Sequence, residues 1–499
     1  MSWIAGIVLG IRSIALRDAS ITIEDRTVSP AAMSRLDAVD VSFRSAGSGR
    51  ERSVSGTVEI PDADVALAGF VLRGPLEASL DSDDVLAASG GFALDLTDAE
   101  LRYGADFAKP SGVPATIRGA LTRDADGAIG ADDLEIVLRN LVASGSLRTG
   151  ADPILELTAA PFEIEGWETL VPVLGLVQPR GRVAITELVA KSRFETTRGR
   201  FALDALGMTL PDSAPLSLTG EVVLAGASIF SRDAKLLIAG EPFVVSPKLD
   251  DLGGDPRFEV RFETDGASSD ALLAALVDLP DRLHGPLVAR GTLRGPLGGA
   301  EPFLETLVGD IDFGIANGRI VGASILEAAL GSLGKRVAES RRANSDAAWE
   351  RFYSDEFENL GGKVRLSRGH LVSEPVTLAY RDYGVTLEGP MRLPDFDLDL
   401  RGSISLGPEV DRELARAFNA PDEYVPEKRE LALQSVRGTP TDPKVQVSSN
   451  SVATLAAHYV KETQREDLKR AAEKELGPGS GEIIDRGLDA LEGILGGRR

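Results

Sequence analysis

Phe258-Glu-Val-Arg-Phe-Glu263 sets an apolar side chain at every second position with a charged one after each. Side chains of a strand point alternately to its two faces, so this stretch has one apolar face and one wet face. The same pattern recurs on both sides of it. Upstream, Ile21 and Ile23 alternate with Ser20, Thr22 and Glu24, and Phe92, Leu94 and Leu96 with Ala93, Asp95 and Thr97. Leu134, Ile136 and Leu138 continue it. Downstream come Ile311, Phe313 and Ile315, then Val364 and Leu366, Val385 and Leu387, and the run Phe396, Leu398, Leu400. Buried parallel strands read as unbroken apolar runs, whereas antiparallel sheets with one solvated face alternate in this way. Turn-forming clusters such as Arg123-Asp-Ala-Asp-Gly127 and Ser146-Leu-Arg-Thr-Gly150 punctuate the strands. The pattern predicts a mainly β, antiparallel protein.

Helical periodicity is confined to a few places. Residues 322–343 put Ile325, Leu326, Ala329, Leu330, Leu333 and Val337 on one stripe. A second helix is predicted over about 452–475, rich in Lys, Arg and Glu. Gly477-Pro-Gly-Ser-Gly481 then precedes an amphipathic piece carrying Ile483, Ile484, Leu488, Leu491 and Leu495. The apolar start, Met1 to Ile11, is shorter than the roughly 20 residues of a bilayer-spanning helix. It reads as an opening strand or short buried helix, or as the edge of a membrane anchor.

A diverged repeat runs through the chain. Leu155-Glu-Leu-Thr158 leads to an apolar helical segment after Gly166 and then to Gly181-Arg-Val-Ala-Ile185. The grammar returns in Phe258–Phe262, Asp270–Leu276 and Gly285–Gly291, and again in Leu398–Gly402, Val410–Phe418 and Leu431–Gly438. Units unable to bury their own apolar face stack into arrays.

Composition narrows function. The chain has 499 residues and a net charge of −23, which argues against nucleic acid, whose affinity comes from basic side chains displacing counterions. With no cysteine there is no disulfide, thiolate metal ligand or thiol nucleophile. Three histidines leave little for His-based catalysis. His284 reads as part of a Leu-His-Gly-Pro turn, His370 as a strand edge, and His458 as a helix position beside Tyr459.

Asp124-Ala-Asp-Gly127 resembles the start of a calcium loop but carries Ala128 and Ile129 where a ligand and the turn glycine belong. It reads as an acidic hairpin turn. Asp395, Asp397 and Asp399 read as the wet face opposite Phe396, Leu398 and Leu400. Leu330-Gly-Ser-Leu-Gly-Lys335 lacks phosphate-loop spacing, and no nucleophile elbow, dinucleotide fingerprint or His-Glu-x-x-His is present. No catalytic residue, metal ligand or cofactor is expected.

Gly309-Asp-Ile-Asp-Phe-Gly-Ile-Ala-Asn-Gly-Arg-Ile-Val-Gly-Ala-Ser-Ile-Leu326 is followed, after a helical spacer, by Asp355-Glu-Phe-Glu-Asn-Leu-Gly-Gly-Lys-Val-Arg-Leu-Ser-Arg-Gly-His-Leu371. A strand ending in Asn-Gly, a Gly-x-x-Ile/Leu opening to a helix, then Phe-x-x-Leu before another strand, resembles the C-terminal part of AsmA-like proteins. Pro179-Arg-Gly-Arg-Val183 and Arg437-Gly-Thr-Pro-Thr-Asp-Pro-Lys-Val445 extend the resemblance over about 130–447. It implies a periplasmic cell-envelope protein of diderm bacteria, associated with the inner membrane. The family is similar to bridge-like lipid-transfer proteins, whose elongated, strongly curved antiparallel sheet forms an apolar groove for acyl chains. On that reading 1–130 is an N-terminal β-groove region and 131–300 holds central β-groove repeats. Residues 301–447 form an AsmA-like β region with an inserted helix near 322–358, and 448–499 form amphipathic helices.

The expected function is non-enzymatic binding and conduction of phospholipids between inner and outer membranes, supporting outer-membrane homeostasis. Expected partners are phospholipids and membrane or envelope proteins at the groove ends. Ile311, Phe313, Ile315, Val364, Leu366, Val385, Leu387, Phe396, Leu398 and Leu400 are the expected groove lining, acting by solvating tails. Ile483, Ile484, Leu488, Leu491 and Leu495 are expected to rest on a membrane or close the groove's end. A structural or assembly scaffold of the envelope is the alternative, with a closed core in place of the groove. A carbohydrate-active enzyme comes third, since aromatic residues make up only 5% and sugar stacking needs them.

Overall fold

A computed structural model describes residues 12–476, apart from 26–31, 49–50, 68–69, 85–88, 124–127, 151, 177, 192–195, 210–214, 253–254, 297–302, 322–349, 394, 418–419, 421–423 and 441. Strands make up 68% of it, and 27 strands among the described residues belong to one antiparallel sheet. The mainly β, antiparallel expectation is met. The chain divides into two compact units, Met1–Val260 and Arg261–Arg499, so the boundary falls within the 131–300 segment.

The first unit is a meander in which nearly every strand pairs with its sequence neighbour. Following register from Ser13–Asp25 to Pro215–Ala225 gives one continuous line of directly opposed residues. It runs Leu16, Val41, Val58, Ala78, Leu94, Ile117, Ile136, Ala143, Ala159, Ile185, Phe201, Val222. Directly opposed residues share a face, so twelve successive strands contribute only apolar rungs to it. At the spacing of paired strands this line is about 50 Å long, measured along the sheet. One residue along each strand the character inverts. Ser42 and Thr57 share a hydroxyl hydrogen bond of 2.9 Å, and Arg118 pairs with Glu135 at 2.6 Å.

One margin of that face is closed. The segment from Leu96 to Ala115 leaves the meander as two short strands, Glu100–Tyr103 and Phe107–Lys109, and packs Leu96, Ala99 and Leu101 against Val39, Ile60 and Leu72. Lys109 is 1% exposed. Its ammonium donates to the carbonyls of Thr97 (2.8 Å), Ala99 (2.7 Å) and Pro110 (3.2 Å), and burial lowers its pKa. Two 3-10 turns, Trp167–Thr169 and Pro172–Leu176, adjoin it: the Ala108 amide donates to the Leu170 carbonyl, and the Trp167 indole donates to Asn140 Oδ1 at 2.9 Å.

In the second unit the line Leu287, Ile315, Leu360, Leu378, Val385, Ile404, Leu431 crosses seven strands. Here helices cover it. Helix α1 (Ser269–Val277) opens with the Ser268 hydroxyl accepting from the Ala271 amide. Helix α2 (Pro408–Ala417) lays Val410, Leu414 and Ala415 on the sheet, and α3 (Ser449–Leu476) adds Leu455 and Tyr459. The helix expected over 452–475 is therefore present as α3. The repeat is legible too: each of its three copies is a strand, a 3-10 or α-helical segment and a returning strand.

Hairpin geometry explains where strands end. Ala239-Gly240 and Arg368-Gly369 are two-residue connections with positive φ at both positions (53° and 87°, 49° and 75°), the arrangement whose twist suits antiparallel strands. Phe396 corrects an expectation: with φ 55° it is a turn residue before the Asp397–Leu406 strand, so it is not a strand position. Of the inserted helix expected near 322–358, residues 322–349 lie outside the described residues, as does the Asp124–Gly127 turn; beyond them Glu350–Phe352 is a 3-10 turn and a strand runs Glu356–Ser367, so the helix does not reach 358.

Replacing Lys109 with Met takes the ammonium donor from the buried Ala99 carbonyl, while the Thr97 carbonyl keeps the Gly112 amide and Pro110 lies at the surface. At about 1–3 kcal/mol for an unsatisfied buried polar group, the expected result is a lower urea midpoint by circular dichroism, with native strand content retained in buffer.

Candidate functional site

An alternating strand builds a surface, not a cleft, and the candidate site is the apolar face that each unit carries. In the first unit its larger rungs are partly exposed: Leu16 is 46% exposed, and Val41, Val58, Ile117, Ile136, Ile185 and Phe201 are half-buried. Of the small rungs, Ala143 and Ala159 are buried and Ala78 is half-buried.

The residues predicted from sequence lie in the second unit. Ile311 opposes Val364, Val385 opposes Ile404, Leu387 opposes Gly402, and Leu398 opposes Met391. They share one face, yet their surroundings differ. Ile315, Val385 and Leu398 are buried in the core beneath α2 and α3, with Leu387 and Leu400 packed against it. Leu366 is also buried. Ile311, Phe313 and Val364 are half-buried, as is Phe396 in its turn. Ile483, Ile484, Leu488, Leu491 and Leu495 lie outside the described residues, as does the segment Met1 to Ile11.

At the strand ends next to Ile315 lies a cavity of about 900 Å³. Arg319, Arg351 and Arg381 line it opposite Glu356, Glu358 and Asp382, together with His284 and the stacked rings of Tyr380 and Tyr383, 4.3 Å apart. Burial raises both tyrosine pKa values. Arg351 donates to Glu413 of α2 at 2.7 Å and lies over the Phe352 ring. His284, expected in a turn, occupies the short strand Leu283–His284.

A buried polar network escaped the sequence reading. Asp411 on α2 is 0% exposed. It accepts from the hydroxyls of Tyr459 (2.6 Å) and Tyr424 (2.7 Å) and from the Glu427 amide (2.8 Å), with the Arg429 guanidinium 3.4 Å away. Arg429 in turn donates to His458 Nε2 at 2.7 Å. Burial and then the Asp411 bond push the Tyr424 pKa up to about 12. Its partners are tied up with one another, so the network locks α2 and α3 to the sheet. The sequence signal was the Asp411 position itself, an acid in a helical register shared with Val410 and Leu414.

Among the described residues no helix is long and apolar enough to cross a membrane. Comparison with family profiles, with curated protein sequences and with solved structures finds no match.

Substituting Asp411 by Ala removes the buried carboxylate on which the Tyr459 and Tyr424 hydroxyls, the Glu427 amide and the Arg429 guanidinium converge, and leaves Arg429 its Glu427 ion pair alone. Loss of one partner of a buried pair costs about 3 kcal/mol, so hydrogen exchange across α3 is expected to rise by two orders of magnitude while strand amides of the first unit stay protected. The network is also pH-sensitive. Burial, and next the neighbouring Arg429, hold the His458 pKa below its ordinary 6.5, against the opposing fields of Glu462, Asp411 and Glu427. An undocked α3 then binds a proton that the docked one refuses. Docking is intact above about pH 6.5 and weakens as the pH falls below it. α3 exchange, corrected for intrinsic rates, is expected to increase between pH 7 and 5, and His458→Asn to flatten the dependence.

Proposed function

We propose that this chain is a non-enzymatic lipid-binding protein that conducts phospholipids along its apolar sheet face between the inner and outer membranes of a diderm envelope. On this reading it works in the periplasm and supports outer-membrane homeostasis. The observation that carries it is the twelve-strand line from Leu16 to Val222, apolar at every rung and partly exposed at the large ones. Water contact costs an acyl chain about 0.8 kcal/mol per methylene. A half-exposed apolar strip offers it surface at every point without a polar barrier to cross. The resemblance of 309–326 and 355–371 to AsmA-like proteins supports the same reading. The polar rungs and the net charge of −23 keep the other face in water.

One observation favours the alternative of an envelope scaffold without lipid. In the second unit the predicted lining residues Ile315, Val385 and Leu398 pack against helices of the chain itself, as a dry core does. The lipid reading therefore assigns the open strip to the first unit and gives the second unit's sealed face a supporting role.

Lipid extraction and mass spectrometry of detergent-free protein, beside an unrelated acidic β protein prepared identically, separates the two. Phospholipid is expected to co-purify with the chain. The double variant Ile117→Asp, Ile136→Asp, at directly opposed rungs, is expected to lose most of it while keeping the far-ultraviolet spectrum, and Ser144→Asp on the wet face to retain it. A wild-type blank, with no binding of added phospholipid, overturns the lipid reading and leaves the scaffold.

A further inference from the structure

Asp270, Asp281 and His284 come from three elements: the first turn of α1, the connection after it, and the strand Leu283–His284. One carboxylate oxygen from each aspartate and a ring nitrogen of the histidine all lie within 4.8 Å of one another. Their placement is fixed by backbone bonds. Buried Ser269 donates its hydroxyl to the carbonyls of Leu283 (2.8 Å) and Gly285 (3.0 Å), on either side of His284. The Asp281 amide donates to Asp270 Oδ1 at 2.7 Å. Gly285, with φ 147°, lets the strand pass Ile315, whose methyl group a Cβ would strike.

A second, independent observation concerns the imidazole. His284 Nε2 is fully buried and has no hydrogen-bond partner. A buried polar nitrogen left unpaired costs about 1–3 kcal/mol, and since a ring nitrogen of the same imidazole lies within reach of two carboxylates, the group that suits the set is a cation with affinity for imidazole. We propose that Asp270, Asp281 and His284 form a binding site for one divalent transition-metal ion of the zinc class. Calcium and magnesium prefer sets made of oxygen alone, whereas zinc takes imidazole nitrogen together with carboxylate oxygen and is held by three protein ligands with a fourth position left over. The ion ties α1 to the strand whose His284 also lines the cavity beside Arg319. This site does not depend on the lipid reading.

The test is isothermal titration calorimetry of the full chain, treated with chelator and dialysed, against zinc chloride, with calcium and magnesium chloride in parallel. One zinc per chain is expected, binding at least tenfold more tightly than calcium or magnesium. Asp281→Asn, at an exposed position, is expected to weaken zinc at least tenfold, and His284→Gln to abolish binding, each with an unchanged far-ultraviolet spectrum. In a thermal melt, zinc is expected to raise the midpoint of the wild type by more than that of Asp281→Asn, and to leave that of His284→Gln unmoved. Unchanged zinc affinity in either variant, equal affinity for calcium, or no zinc binding by the wild type overturns the site.

Discussion

Everything in this molecule depends on the register of antiparallel strands. Because side chains alternate with period two, a slip of one residue at a single hairpin would turn an entire apolar set to the wet face. Twelve strands in succession nonetheless keep one face apolar from Leu16 to Val222. Bulges absorb the mismatches: between Leu157 and Ala159 the partner strand advances from Leu188 to Ile185, one residue more than the pleat allows, and apolar still meets apolar on both sides. The hairpins hold register by the same economy. A two-residue connection with both φ angles positive admits little variation in where the next strand starts.

The two units use one device for different ends. In the first, the apolar strip is closed along one margin by the Lys109 segment and left half-exposed over its larger rungs. In the second, α2 and α3 lie across the equivalent face and Val385, Ile404 and Leu431 are all but inaccessible. The contrast lies in the segments that join the strands. Where a repeat carries only 3-10 turns, as after Glu163, the insert packs at the margin; where it carries a ten-residue helix, as after Leu406, the insert reaches over the sheet.

Sequence periodicity located the sheet because alternation is local: Phe258, Val260 and Phe262 need no knowledge of their neighbours. It failed where meaning is set by distant residues. Phe396 has the right parity for the strand but sits in the turn beside the Arg392–Asp395 ion pair, with a left-handed φ of 55°, before the strand begins. The role of Asp411 is not legible from its own helix because its partners Tyr424, Glu427, Arg429 and Tyr459 arrive from later segments. His284, Asp270 and Asp281 are eleven and fourteen residues apart at most, yet no motif spacing unites them; the Ser269 bonds across the strand do. Phe396 apart, the alternating residues of the second unit share one face, and its helices Pro408–Ala417 and Ser449–Leu476 fall where periodicity expects helix; that they lie across that face is not legible locally.

Burial separates a surface that holds a flexible guest from one that holds the protein together. A methylene added to a close-packed core must displace neighbours, whereas one laid on a half-exposed strip displaces only water. The second unit's face has protein atoms on both sides, with Tyr459, Leu414 and Val410 pressed onto it and Asp411 securing them by directed hydrogen bonds. Such a face gains rigidity and loses room. The first unit's strip has the opposite balance: Ile117, Ile136, Ile185 and Phe201 keep part of their surface free, and as hydrocarbon side chains they hold no directed bond that a guest would have to break. A lipid tail needs that second kind of surface, continuous and without polar interruption, so the lipid proposal rests on the meander and not on the helix-covered sheet.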